Sequence, residues 1–276
     1  MLINTFDKLQ YGIELELVLE LPNKIRNNVD NNRKIEHFSK IMKYDLKDIN
    51  IVFSPGKDIE DYSQWTILED NSLECNSDSF TLELVSPIIT NKEKSFRELE
   101  KILTFLKKFN VSTNETCSYH LHISPQTGPF SLTDLKQISK FFLLFENGLN
   151  YLNMERIDNK FCGSNRYNCR LRDKTIDDCL VLVDKCKSQE KLVDLLNPAD
   201  TKSKIVLERG KGIDYGNYYR CQRFYKLNLT NLLNNKNTVE IRSHGGTVNM
   251  NTIEEWINIW DAVIYLSNIV NLGGQL

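Results

Sequence analysis

Two-residue alternation, repeated in separate stretches, is the feature of this chain that most narrows what it can fold into. Residues 11–21 read YGIELELVLEL, 80–86 FTLELVS, 117–124 CSYHLHIS, 223–230 RFYKLNLT and 237–243 NTVEIRS. Neighbouring side chains on a strand point to opposite faces, so residues i and i+2 look the same way. Glu14 and Glu16 therefore share one face, while Ile13, Leu15 and Leu17 share the other. Glu83 sits between Leu82 and Leu84. His120 and His122 oppose Tyr119, Leu121 and Ile123. Glu240 and Arg242 oppose Val239 and Ile241, and Lys226 and Asn228 oppose Leu227 and Leu229. With the apolar faces packed on helices, the polar groups are expected to converge on one open, concave face of a rigid sheet.

The rest of the chain supplies those helices. Residues 93–109 carry Phe96, Leu99, Ile102, Leu103 and Leu106 along one helical stripe. A helix is expected over 131–152, with Ser131 as N-cap ahead of Asp134. Further helices are expected over 35–48, over 174–196 as one or two pieces, and over 252–271, where Trp256 and Trp260 read as core. Short strands fit 50–54 and 63–69. Loops fit 22–34, 155–173 and 198–222, the last a mobile one holding Gly210, Gly212 and Gly216 among basic residues. No βαβ rhythm and no internal repeat is visible. The expected class is α+β with a mainly antiparallel sheet, in one domain spanning 1–276.

Composition narrows the function classes. The 276 residues carry a net charge of −2, without the basic excess of a nucleic-acid binder. No stretch approaches the roughly 18 apolar residues of a membrane span, and residues 1–10 lack the apolar core of a signal peptide. Seven irregularly spaced cysteines without a C-x-x-C pair argue against a disulfide framework or a zinc cluster. A cytoplasmic protein with reduced thiols is the expectation.

Gathered carboxylates repel one another and need counter-charge, most simply a divalent cation. Oxygen-rich ligand sets suit Mg²⁺ or Mn²⁺, and an added imidazole leans toward Mn²⁺. Arg242, two residues from Glu240, would place a guanidinium beside a phosphate sharing that cation. Each motif alone has a plainer explanation: E-x-E as a solvated face, H-x-H as a surface accident, E-x-R as a cross-strand ion pair. Their joint occurrence on separate strands, with three of the four histidines in or beside them, is harder to dismiss.

These residues carry a family likeness. Gly12-Ile13-Glu14-Leu15-Glu16, Glu83-Leu84-Val85-Ser86-Pro87, Cys117-Ser118-Tyr119-His120-Leu121-His122, Tyr225-Lys226-Leu227-Asn228-Leu229 and the run 238–249 (TVEIRSHGGTVN) resemble the putative amidoligase family, carboxylate–amine ligases of the glutamine synthetase-like fold. Asp70-Asn71-Ser72 stands where that family tends to have an Asp-Gly-Ser turn, and Ser118 where it usually has Gly. The resemblance implies a glutamine synthetase catalytic-domain-like sheet and ATP-dependent amide formation through an acyl phosphate. It implies Glu14, Glu16 and Glu83 as metal ligands, and His120 or His122 with Glu240 for a second metal. Arg242 would contact the transferred phosphate, and Asn228 would be a substrate or supporting contact. Arg166, in the loop after the long helix, and Lys226 are further candidates for gripping phosphates. No G-x-x-x-x-G-K-[ST] loop is present, so metals and sheet residues would have to hold the nucleotide.

The expected partners are a small molecule or peptide bearing a carboxylate, and an amine; nucleic acid and membrane are not expected, and a homo-oligomer is compatible. A metal-dependent hydrolase or nuclease using the same cluster with water as nucleophile is the alternative, and an inactive binding module a third. Arg170, Arg172, Arg209, Lys211, Arg220 and Arg223 read as solvated charges. Gly245-Gly246 reads as a turn or a close approach to ligand, Cys117 as a buried thiol, and His244 as a loop residue.

Overall fold

The computed structural model describes residues 8–20, 30–55, 59, 61–157, 159–199 and 222–270. Its strands are β1 (Leu9–Glu20), β2 (Ile51–Phe53), β3 (Trp65–Leu68), β4 (Ser79–Val85), β5 (Ser118–Pro125), β6 (Leu227–Asn228) and β7 (Val239–Gly245). They form one seven-stranded sheet in the order β2-β3-β4-β1-β5-β7-β6. The pairs β1/β4, β3/β4 and β6/β7 are antiparallel, and β2/β3 is parallel. The described helices of regular α type are α1 (Asn31–Asp45), α2 (Lys92–Leu106), α3 (Leu132–Leu152), α4 (Ile176–Lys185), α5 (Gln189–Leu196) and α6 (Met250–Ile269). The class is α+β with a mostly antiparallel sheet, as the alternation predicts. Among the described residues no helix is long and apolar enough to cross a membrane, and no cysteine pairs in a disulfide.

By contact density the chain divides into two compact units. One comprises Leu9–Leu121 and His244–Ile257. Here the register puts Leu15 opposite Leu84, Leu17 opposite Leu82 and Leu19 opposite Phe80, all buried. Helices cover this face. Phe38 of α1 meets Phe80 edge-on at 5.3 Å and lies 5.9 Å from Phe105 of α2. Trp65 donates its indole N–H to Glu98 of α2 at 3.0 Å. Each large side chain buried in this way contributes ~1.5–3 kcal/mol.

The other unit includes His122–Ser243 and the chain from Asn258 onward. Ser131 and Asp134 form a reciprocal capping box that starts α3. Further along that helix, Phe142 stacks on Trp260 of α6 with ring centres 6.0 Å apart.

The structure corrects three expectations. Helix α1 begins at Asn31, inside the segment expected as loop, because Asp30 caps it by accepting from the Arg33 N–H at 3.0 Å. The strand expected over 223–230 shrinks to Leu227–Asn228. Side-chain amides satisfy its backbone instead: Asn165 both accepts from Leu227 N–H and donates to Leu227 O, each at 2.8 Å, and Asn197 accepts from Leu229 N–H at 3.0 Å. The Asn228 side-chain oxygen then accepts from Thr230 N–H at 2.9 Å, turning the chain into a 3₁₀ segment over Thr230–Leu233. Finally, His244 lies within β7 rather than in a loop. Most of the segment expected as a mobile loop, 200–221, falls outside the described residues, and Arg209, Lys211 and Arg220 with it.

Candidate metal centre

Glu14 and Glu16 project from the polar face of β1, and Glu83 of β4 stands directly opposite Glu16. Residues so paired share a face, with Cβ atoms about 4.5–5.5 Å apart. Two carboxylates at that spacing repel unless something positive lies between or beside them. His120 of β5 brings its Nδ1 to 3.1 Å from Glu14 Oε2 and its Nε2 to 3.9 Å from Glu16 Oε1. Glu16 Oε2 accepts from the backbone N–H of Ser118 at 2.6 Å and from the Ser118 hydroxyl as well. The side chain at a position where glycine is usual in the resembled family is therefore used to hold a glutamate.

Glu240 of β7 is buried, and side-chain donors surround its carboxylate. Oε2 accepts from Asn228 Nδ2 at 2.7 Å and Asn231 Nδ2 at 2.8 Å; Oε1 accepts from Arg242 at 2.5 Å. The i, i+2 spacing on β7 sets Glu240 and Arg242 side by side. Cross-strand register sets Asn228 opposite Glu240. Within the unit that carries β1, Glu14 and Glu16 each offer a carboxylate oxygen to the His120 imidazole, at 3.1 and 3.9 Å. Two carboxylate oxygens and an imidazole nitrogen at that spacing can hold a metal ion, and the donor set fits a hard divalent cation such as Mg²⁺ or Mn²⁺.

The remaining candidates make contacts of their own. His122 places Nδ1 2.9 Å from the Thr238 hydroxyl. Lys226 is buried and donates to Asn150 Oδ1 at 2.6 Å, with Glu146 Oε1 at 3.8 Å. Arg166 donates to the carbonyls of Leu171 at 2.9 Å and Lys174 at 2.6 Å, and so ties its own loop together. Gly246 is small for packing: a Cβ there would lie 2.6 Å from Cys117 Cβ and 3.0 Å from Thr113 Cβ. Cys117 is buried against that turn, and its carbonyl accepts from Gly246 N–H at 3.0 Å. His244 lies between the rings of Tyr119, at 5.4 Å, and Trp256, at 5.0 Å.

Sequence reasoning missed Asn231, the hydroxyl role of Ser118, and Glu146. Only the spacing Asn228-x-x-Asn231, which one tight turn brings together, could have signalled the first. Glu146 lies on the buried side of α3, and no local pattern distinguishes it from a solvated helix residue. A family model described as a putative amidoligase enzyme matches residues 7–264. Neither a curated protein nor a solved structure matches the chain.

Proposed function

This chain belongs to the putative amidoligase family, and from that premise we propose that it joins a carboxylate to an amine at the expense of ATP, through an acyl phosphate. The observation that carries the proposal is the buried contact between Arg242 and Glu240, together with the gathering of Glu14, Glu16 and His120 on one polar face. A guanidinium beside candidate cation ligands suits phosphoryl transfer, in which charge on the transferred group needs neutralising. The α+β sheet is compatible with a glutamine synthetase-like catalytic domain.

In this reading Glu14, Glu16 and His120 would hold a divalent cation, with Glu83 adding negative charge beside it, and Glu240 would be a ligand of a second. When bound, the cation neutralises phosphate oxygens and draws charge from the transferred group. Arg242 supports the same oxygens from the protein side. A substrate carboxylate oxygen attacks the γ-phosphorus; the new O–P bond forms as the bond to the ADP oxygen breaks. The amine nitrogen then adds to the acyl carbon, phosphate leaves and a proton is lost, giving the amide. The protein's share is positioning and charge compensation.

The test is a screen of carboxylate and amine pairs for ATP-dependent phosphate release, with mass spectrometry of the product. Glu240→Gln and Arg242→Ala should each lower turnover by at least ~10³-fold, the scale of removing a transition-state arginine. Nucleotide-independent hydrolysis that survives both substitutions would overturn the proposal.

A further inference from the structure

Glu240 is held from both ends, and the hold is more specific than burial requires. Two amides, Asn228 Nδ2 at 2.7 Å and Asn231 Nδ2 at 2.8 Å, donate to the same oxygen, Oε2. A carboxylate oxygen has two lone pairs, so these amides saturate it. A cation must then be met by Oε1, the oxygen that faces Arg242 at 2.5 Å.

We propose that Asn231 is a positioning residue: together with Asn228 it fixes the rotation of the Glu240 carboxylate, so that Oε1 is presented to Arg242 and to a divalent cation. This rests on the cation reading above. A glutamate carboxyl rotates in a broad, roughly two-fold well, and would otherwise lose that freedom on binding metal. Partners that orient a metal ligand typically change metal affinity by about 10–100-fold when removed.

Neither amide is interchangeable end for end. The Asn231 oxygen accepts from Asn234 Nδ2 at 3.3 Å, so its NH₂ group is the end turned to Glu240. The Asn228 oxygen accepts from Thr230 N–H at 2.9 Å and from the Thr230 hydroxyl at 2.8 Å, which orients its NH₂ group likewise. The turn that carries Asn231 is closed by its own carbonyl, which accepts from Asn237 N–H at 3.0 Å. Asn237 has a φ of 50°, the left-handed conformation that asparagine tolerates well.

Mn²⁺ binding to the full chain, followed by electron paramagnetic resonance and calorimetry, tests this without an assay for the substrate. Asn231→Leu removes the donor at nearly constant volume. It should weaken Mn²⁺ by about 10-fold or more, with the thermal midpoint of the metal-free protein shifting only a few degrees. A purely structural Asn231 would lower that midpoint and leave Mn²⁺ affinity at the wild-type value; that result overturns the proposal. Should the Leu variant fail to fold, Asn231→Ala carries the same comparison. Glu240→Gln separates the two ideas. If it binds Mn²⁺ as the wild type does, or the wild type binds none, the cation reading fails and takes this inference with it. If Glu240→Gln loses Mn²⁺ while the Asn231 variant keeps it, the positioning role alone is wrong.

Discussion

Glu240 and Glu146 are both buried glutamates with a basic side chain nearby, yet they are built differently. Glu240 receives three side-chain donors, one of them a guanidinium in direct contact. Glu146, on α3, accepts from the Arg166 N–H at 2.9 Å through Oε2, while Oε1 has Lys226 Nζ at 3.8 Å and no hydrogen-bond partner. Burial pushes the Glu146 carboxyl above the usual carboxylate range, against the opposing pull of Ser164, Arg166 N–H and Lys226. Burial and a nearby cation are thus common to both; what sets them apart is how many side-chain donors hold the carboxylate.

Removing the basic partner of each glutamate sharpens that contrast most. Lys226→Met should leave Glu146 buried without its cation. Breaking a buried pair from one side costs about 3–5 kcal/mol, and the lower end applies here because Glu146 can take up a proton. Denaturant unfolding should show a loss near ~3 kcal/mol, while the folded variant retains ATP-dependent turnover. Arg242→Met breaks a buried pair too, so it should cost a comparable amount of stability, but here the folded variant should lose turnover. A Lys226→Met variant that folds normally but cannot use ATP would erase the distinction and return Lys226 to the phosphate-binding set.

A smaller effect is expected at Arg166, which sequence reasoning placed among the phosphate ligands. Its guanidinium donates to two backbone carbonyls, those of Leu171 and Lys174, and its own N–H donates to Glu146. It belongs to the structural side of the comparison. Arg166→Ala should cost about 1–2 kcal/mol in unfolding free energy, the usual scale for hydrogen bonds from a charged group, and leave the Michaelis constant for ATP within about two-fold of wild type. A ten-fold rise in that constant without loss of stability would place the side chain on the nucleotide.

What the sequence made legible was periodicity. Alternation identified the polar faces carrying Glu14, Glu16, His120 and Glu240, and the apolar faces carrying Leu15, Leu84 and Tyr119, because side-chain direction on a strand is a local property. It could not tell which histidine of His120-x-His122 joins the glutamates. That depends on the register between distant strands, which brings His120 to Glu14 and leaves His122 beside Thr238. For Lys226 alternation is incomplete in a related way. Alternation put it on the same face as Asn228, but a lysine stem is long enough to carry its charge away from that face, and the ammonium ends on Asn150 of α3. Asn231 was illegible because β6 stops after two residues, and side-chain amides rather than a neighbouring strand decide where.

The smallest predicted effect concerns pH. Glu146 has a folded pKa raised above its ordinary value, mainly by burial. A group shifted that way contributes its full stabilisation below the unfolded pKa, and the contribution fades as pH rises through the folded pKa. Glu146→Gln cannot ionise and lacks this dependence. The thermal midpoint of the wild type, measured relative to the Gln variant, should therefore fall as pH climbs from the acid side of the ordinary carboxylate range through the region just above it, and then level off. Lys226 works against the drop by favouring the ionised carboxylate, but at 3.8 Å and without a hydrogen bond to Oε1 it offsets only part of the burial cost. A relative midpoint that rises over the same interval would mean that Lys226 outweighs desolvation, and that the partners of Glu146 rather than its burial govern the carboxyl.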